Sequence, residues 1–355
     1  MKPPLSDPPQ ESEPTRLPRD NLLLFHTPED AIAPVQTTED WLQRRAEIVR
    51  GMESVMGQFS GPESPLRVEL DVKVEEEIDR GTYVLRRITY QSEPESRTPA
   101  FLCIPKAALK ENAADFPAVL CLHPTDFKFG AGVVVGLGGK TNRQYASELA
   151  ARGFVTIAPA YPHLANYKPD LAGLGYVSGT MKAIWDNTRA LDLLASLPFV
   201  KPGNFGVIGH SLGGHNAVFT AVFDPRLVAI ASSCGLDSFL DYASGKPELW
   251  KNGQGWTQDR YMPRLGNYAG RLAEIPFDFH ELIGALAPRK VFISAPFNDD
   301  NFSWESVDRI VEAARPIFKL YGSADFLRVE HPDCAHDFPN DQRELAYRLF
   351  TAVLK

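Results

Sequence analysis

The stretch that most restricts what this chain can fold into is Phe205-Gly206-Val207-Ile208, which runs directly into Gly209-His210-Ser211-Leu212-Gly213. An uncharged, strand-like run enters a G-x-S-x-G motif, and the helical pattern LGGHNAVFTAVF leaves it. A strand, a sharp turn and a helix in immediate succession require small residues around the turn, because a side chain there meets the strand or the helix. The turn lifts the Ser211 oxygen above a sheet edge, beside the positive end of the following helix. The competing reading, a tight turn with an inert serine, explains the glycines but leaves the flanking strand and helix as coincidence.

The rest of the chain fits that setting. Strands are expected at residues 118–122, 155–158, 205–208, 228–232, 291–294 and 327–330. Helices are expected at 142–152, 180–197, 212–223, 304–320 (interrupted near Pro316) and 342–354. The run AVLCL at 118–122 is apolar throughout, as in a strand covered on both faces. This alternation implies an α/β class with a mostly parallel central sheet and helices on both faces. Upstream, residues 1–20 are rich in Pro and Glu and read as a disordered or loosely docked tail. Residues 21–99 read as an N-terminal extension, a helix over 38–56 and an antiparallel β-hairpin over 68–90 that turns at Asp79-Arg80-Gly81. Residues 100–355 form the expected catalytic domain, with a lid-like insert at 236–288.

A hydroxyl attacks poorly at neutral pH, so Ser211 needs a base, and the base needs an acid to orient it. Where a G-x-S-x-G elbow is used, the chain order is Ser, acid, His. Beyond His280 only His331 and His336 remain. His336 lies in a loop past the last expected strand and is the preferred base. The strand at 291–294 leads into Pro296-Phe297-Asn298-Asp299-Asp300, which makes Asp299 the preferred acid and Asp300 the alternative, with Asp325 and Asp333 behind them. Two amides are needed for the oxyanion. Leu212 follows the nucleophile. The loop His123-Pro124-Thr125-Asp126 supplies the second, and since Pro124 has no N–H, Thr125 comes first and Asp126 next. His123 is read as a structural support for that loop. His215, one helical turn past Ser211, and Trp256, Arg260 and Tyr261 of the insert are candidate substrate-binding residues; a satellite core under the insert is an equal reading of its aromatics.

The features GHSLGG, LHPT, FNDD and AHDF together resemble the α/β-hydrolase superfamily over about 100–355. Within it the chain is similar to bacterial dienelactone-hydrolase-like and acetyl-xylan-esterase-like proteins, on ELAARGF, WDNTR and APRKV. The resemblance implies an α/β-hydrolase fold and a serine esterase. Dienelactone hydrolases use a Cys nucleophile, so Ser211 points to ordinary carboxylic esters, acyl groups on carbohydrates among them. A serine peptidase on the same fold and a non-catalytic binding protein remain the alternatives.

Composition removes other classes. The 37 basic and 45 acidic residues give a net charge of −8, without the basic bias of nucleic-acid binders. No apolar run approaches the roughly 18 residues of a membrane helix, and no leader-like apolar stretch opens the chain. The expectation is a soluble chain, cytoplasmic or untargeted, or secreted or periplasmic if a leader has been cleaved. Cys103, Cys121, Cys234 and Cys334 show no paired short spacing and are read as reduced. Gly139-Lys140-Thr141 lacks the upstream glycine of a P-loop, which is Val134 here. A zinc site from His331, Asp333 and His336 yields to the role of His336 as base, so neither cofactor nor metal is expected. The edge strand of the hairpin offers a route to a homo-oligomer.

Overall fold

The computed structural model describes residues 15–61 and 66–355. Its centre is a set of apolar strands: β6 (Ala118–Leu122), β7 (Val155–Pro159), β8 (Phe205–His210), β9 (Leu227–Ser233), β10 (Lys290–Ser294) and β11 (Leu327–Glu330). These are parallel and lie in the order β11-β10-β9-β8-β6-β7. Both faces are covered, so alternate residues enter different cores: Ala118, Leu120 and Leu122 enter one, Val119 and Cys121 the other. The first core holds α1 (Thr38–Met56), α3 (Gly179–Ser196), α4 (Leu212–Phe223), α5 (Phe279–Gly284) and α6 (Trp304–Leu320). The second holds α2 (Tyr145–Ala151) and α7 (Asn340–Leu354). Because these strands run the same way, the loops after β6, β8, β10 and β11 gather at one edge, with the order reversing at β6.

The sheet continues past β7 into antiparallel β5 (Ser96–Pro105), β4 (Tyr83–Glu93) and β3 (Lys73–Asp79). The 99/100 boundary therefore falls inside β5, since the hairpin hydrogen-bonds into the central sheet. Its outer strand exposes Glu75, Glu76 and Glu77, and charge of this kind discourages edge-to-edge pairing. Buried Lys182 of α3 ties the hairpin in, lying 2.7 Å from Glu93 and 2.5 Å from Asp186. Thr98 and Tyr167 donate to the same Asp186 carboxylate, each at 2.8 Å.

Of the tail expected at residues 1–20, residues 1–14 lie outside the described part. The remainder is anchored: Arg16 grips Glu281 with two 2.6 Å hydrogen bonds, and Arg19 reaches Asp278 at 2.5 Å. A short hairpin, β1 (Leu24–His26) with β2 (Ile32–Pro34), precedes α1. The helix α6 is continuous through Pro316, contrary to the expected interruption. Its apolar face (Ile310, Val311, Ala314, Ile317 and Phe318) is buried. The carbonyl that Pro316 leaves without its helical donor belongs to Glu312, on the exposed face of the helix.

The insert at 236–288 packs as a satellite of the first core. Phe239, Trp250, Phe277 and Phe279 are buried and touch ring to ring, and Tyr242 lies between Trp250 and buried Trp256. The His215 ring is stacked between Phe219 and Trp256, at centroid distances of 4.0 and 4.5 Å. Both of its nitrogens are buried without a hydrogen-bond partner, and burial pulls its pKa down to about 3.

Two outcomes follow. Lys182→Met leaves two buried carboxylates without their cation, and the urea midpoint is expected to fall by the equivalent of about 3–5 kcal/mol. For His215, the unfolded chain (pKa ≈ 6.5) binds a proton that the folded one refuses down to about pH 3. Stability from this residue is complete above pH 6.5 and is lost on acidification through that window, by about 3 kcal/mol at pH 4.5. His215→Phe, which keeps a flat ring, is expected to narrow the difference in Tm between pH 7 and pH 4.5.

Candidate active site

Ser211 joins β8 to α4 at φ 55° and ψ −122°, a conformation that residues with a Cβ seldom adopt. Its surroundings enforce this. A Cβ on Gly209 would stand 2.1 Å from the Gly213 carbonyl, and one on Gly213 would stand 2.0 Å from Leu122 O. The Ser211 amide donates to Ser233 O at 2.8 Å, and Ser211 O accepts from the His215 amide at 3.0 Å. The elbow is thus wedged between the ends of β6 and β9.

His336, in the loop after β11, has Nδ1 2.9 Å from both oxygens of Asp299. A carboxylate only accepts, so Nδ1 carries the proton and Nε2 is the free basic nitrogen of the neutral ring. Asp299 also accepts from the amides of Asn301 at 2.9 Å and Phe302 at 3.2 Å. Burial pushes the Asp299 carboxyl up, but His336 and these amides outweigh it and hold the group below the usual carboxylate range. The competitors lie elsewhere. His331 bonds Ala295 O and Asp308, Asp333 accepts from Asn298, and Asp300 and Asp325 are exposed.

Ser211 and His336 line one cavity of about 130 Å³, together with Thr125, Asp126, Lys140, Arg143 and His210. Thr125 thus borders the same space as Ser211, and Leu212 opens α4, where helix amides have no helical acceptor. The loop between β6 and the cavity is fixed by His123, as read from the sequence. Its Nε2 accepts from the Tyr161 amide at 3.0 Å, so Nδ1 donates to Pro124 O at 2.7 Å. Burial lowers the His123 pKa to about 4 and keeps the ring neutral.

The four candidate substrate-binding residues are not on the wall of this cavity. His215 is sealed under Trp256 and Phe219. Trp256 is itself nearly buried, and lies against Tyr261 and Phe302, whose rings lead on to Thr125 and His336. The Tyr261 hydroxyl is 3.1 Å from the Thr125 hydroxyl. Arg260 lies over Phe127 and opens onto a neighbouring pocket.

Sequence reasoning missed Arg143, which is buried, pairs with Asp337 and donates to His336 O at 3.1 Å. It holds the loop that carries His336 from across the cavity, and no spacing or periodicity announces such a contact. Cys234 was likewise read only as a buried thiol. Its sulfur, with ligand atoms of Asp299 and His336, forms a group within 4.8 Å that could hold a metal ion. Burial and the nearby Asp299 charge push the Cys234 thiol well up. The zinc set His331, Asp333 and His336 is not gathered among the described residues.

Comparison with known proteins agrees with this fold. A model of the family described as glucuronyl esterase, fungi, matches residues 170–322. A 4-O-methyl-glucuronoyl methylesterase 1 from Wolfiporia cocos is 23% identical over 269 residues, covering 68% of this chain and 60% of the relative. One from Sodiomyces alcalophilus is 26% identical over 170 residues, covering 44% of this chain and 34% of the relative. The matched stretches thus span from a third to three-fifths of these two relatives. In three dimensions, a glucuronoyl esterase from Solibacter usitatus superposes with a TM-score of 0.73 at 19% identity, covering 96% of this chain and 99% of that one. A structure titled a putative acetyl xylan esterase from Bacteroides fragilis gives 0.57 at 16% identity, over 83% and 76%. With its strand–elbow–helix unit, its sheet order and these likenesses, the chain has the α/β-hydrolase fold and is similar to glucuronoyl and acetyl-xylan esterases.

Proposed function

We propose that the chain is a serine hydrolase of carboxylic esters and acts on esters carried by carbohydrates. The observation that carries this reading is that Ser211, at a strained elbow, shares a small cavity with His336, whose other face is held by buried Asp299. The His336 ring takes the Ser211 proton as the oxygen attacks the ester carbonyl. The amides of Leu212 and Thr125 stabilise the oxyanion. Asp299 keeps the ring in its Nδ1–H form and stabilises the imidazolium. His336 then gives its proton to the departing alcohol and later draws one from water to release the acid.

The carbohydrate part rests on the relatives, several of which are named 4-O-methyl-glucuronoyl methylesterases. The cavity suits that class. About 130 Å³ is room for roughly four waters at ~30 Å³ each, enough for a methyl ester or an acetyl group. The serine peptidase and the non-catalytic binding protein have no observation of their own in their favour.

Ser211→Ala is expected to cut ester turnover by at least about 10³-fold and to abolish labelling by a fluorophosphonate, with the circular dichroism spectrum unchanged. Labelling that persists in this variant would remove Ser211 from the reaction. Asp299→Asn keeps the geometry but lets the ring take the other tautomer. It is expected to lower kcat roughly 10³–10⁴-fold on p-nitrophenyl acetate, with little change in KM. A substrate panel of methyl glucuronate, acetylated xylan, p-nitrophenyl acetate and a peptide anilide decides the class. Cleavage of the anilide alone would favour a peptidase.

A further inference from the structure

The cavity over Ser211, at about 130 Å³, is below the roughly 300–1,000 Å³ of a site that encloses a whole small ligand. It takes the reacting ester, and the remainder of a sugar substrate must lie outside it. Next to it is a pocket of about 660 Å³, formed by residues 163–177 after β7 and residues 253–263 of the insert. Two contacts separate the two spaces: the Tyr261 and Thr125 hydroxyls at 3.1 Å, and the Arg260 guanidinium 4.9 Å from the ring centre of exposed Phe127. Thr125 lines the cavity and Tyr261 directly follows Arg260, which lines the pocket, so the two spaces share a wall.

The pocket is built rather than incidental. The Asp259 carbonyl accepts from the Gly179 amide at 3.0 Å, and a Cβ on Gly179 would stand 2.3 Å from Arg260 O. The insert is therefore pressed against the start of α3. On the other side His163 is held at φ 61° by its amide bond to Tyr167 O, a strained state that collects at functional sites. Several polar groups there are unused. Among the described residues the His163 ring and the Asp259 carboxylate have no hydrogen-bond partner, and Arg260 Nε is buried without one. Two carboxylates (Asp170, Asp259) beside one guanidinium (Arg260) favour neither a strongly anionic nor a strongly cationic guest. They suit a neutral one rich in hydroxyls, which donate to carboxylates and accept from an imidazole or guanidinium. Pro169 and Leu171 add apolar surface for the C–H face of a ring.

From this we infer that the pocket between residues 163–177 and 253–263 is a saccharide subsite, holding a sugar of the chain whose ester is cleaved at Ser211. The inference rests on the esterase reading, and deepens it from a substituent to an oligosaccharide.

The test uses His163→Asn with Asp259→Ala. Asn tolerates the positive φ, and the bond from Gly179 goes to the Asp259 backbone, so the fold is expected to survive. The probe is a xylo-oligosaccharide bearing a 4-O-methyl-glucuronate methyl ester. Loss of two hydrogen-bonding groups is expected to lower kcat/KM on this probe about tenfold or more, through KM. On p-nitrophenyl acetate, which needs only the cavity, the change is expected to stay within about twofold. An equal loss on both substrates, or none on the oligosaccharide, overturns the subsite. Calorimetry with the Ser211→Ala enzyme separates the two readings. Binding of the probe that weakens about tenfold in the double variant supports the subsite, and no binding, or equal binding, overturns it. Wild-type protein that fails to hydrolyse p-nitrophenyl acetate and the probe alike counts against the esterase reading, while the calorimetry still decides the pocket.

Discussion

Backbone crowding at the elbow is the constraint on which the rest of the site depends. Gly209 and Gly213 approach so closely that neither admits a Cβ, and Gly213 is pressed onto the end of β6. That contact fixes three things together: the left-handed turn at Ser211, the direction of α4, and the distance from the nucleophile to the loop that starts at His123. A nucleophile held by packed backbone needs no reorganisation at the moment of attack, which is the condition under which oriented amides stabilise an oxyanion best.

The second support is aromatic. Trp256 touches His215 on α4, Tyr261 beside the loop after β6, and Phe302 next to the loop that holds Asp299. One side chain from the insert therefore braces elements that hold Ser211, Thr125 and Asp299. The insert reads equally as a lid or a satellite core in sequence, and most of its large aromatic side chains are buried in the first core. Its rim, around Gln258 to Arg260, faces solvent.

What was legible in the sequence was what local backbone demands. The elbow, the two-sided strands and α4 follow from glycine spacing, apolar runs and helical periodicity, and α4 spans the residues expected of it. The meeting of His336 with Asp299 was legible because the elbow implies an order along the chain. Contacts between distant segments were not legible. Arg143 supports the His336 loop from 193 residues away, and nothing near Arg143 marks it. The aromatic residues of 236–288 look alike in sequence whether they bind a ligand or fill a core, since burial depends on neighbours far along the chain. Pro316 misled because the penalty for an interior proline depends on which carbonyl it orphans, and here that carbonyl belongs to an exposed residue.

The grip of Arg16 on Glu281 joins residues 265 positions apart. During synthesis Arg16 emerges long before Glu281, so this latch stays open until α5 has been made. The guanidinium meets a carboxylate already engaged by Arg44 at 2.5 Å and bonded to the Asp278 amide at 2.8 Å. Closure of the N-terminal strap thus requires α5, whose Glu281 is shared by Arg16 and Arg44. Arg16 and Arg19 are held by a segment made 265 and 259 residues after them.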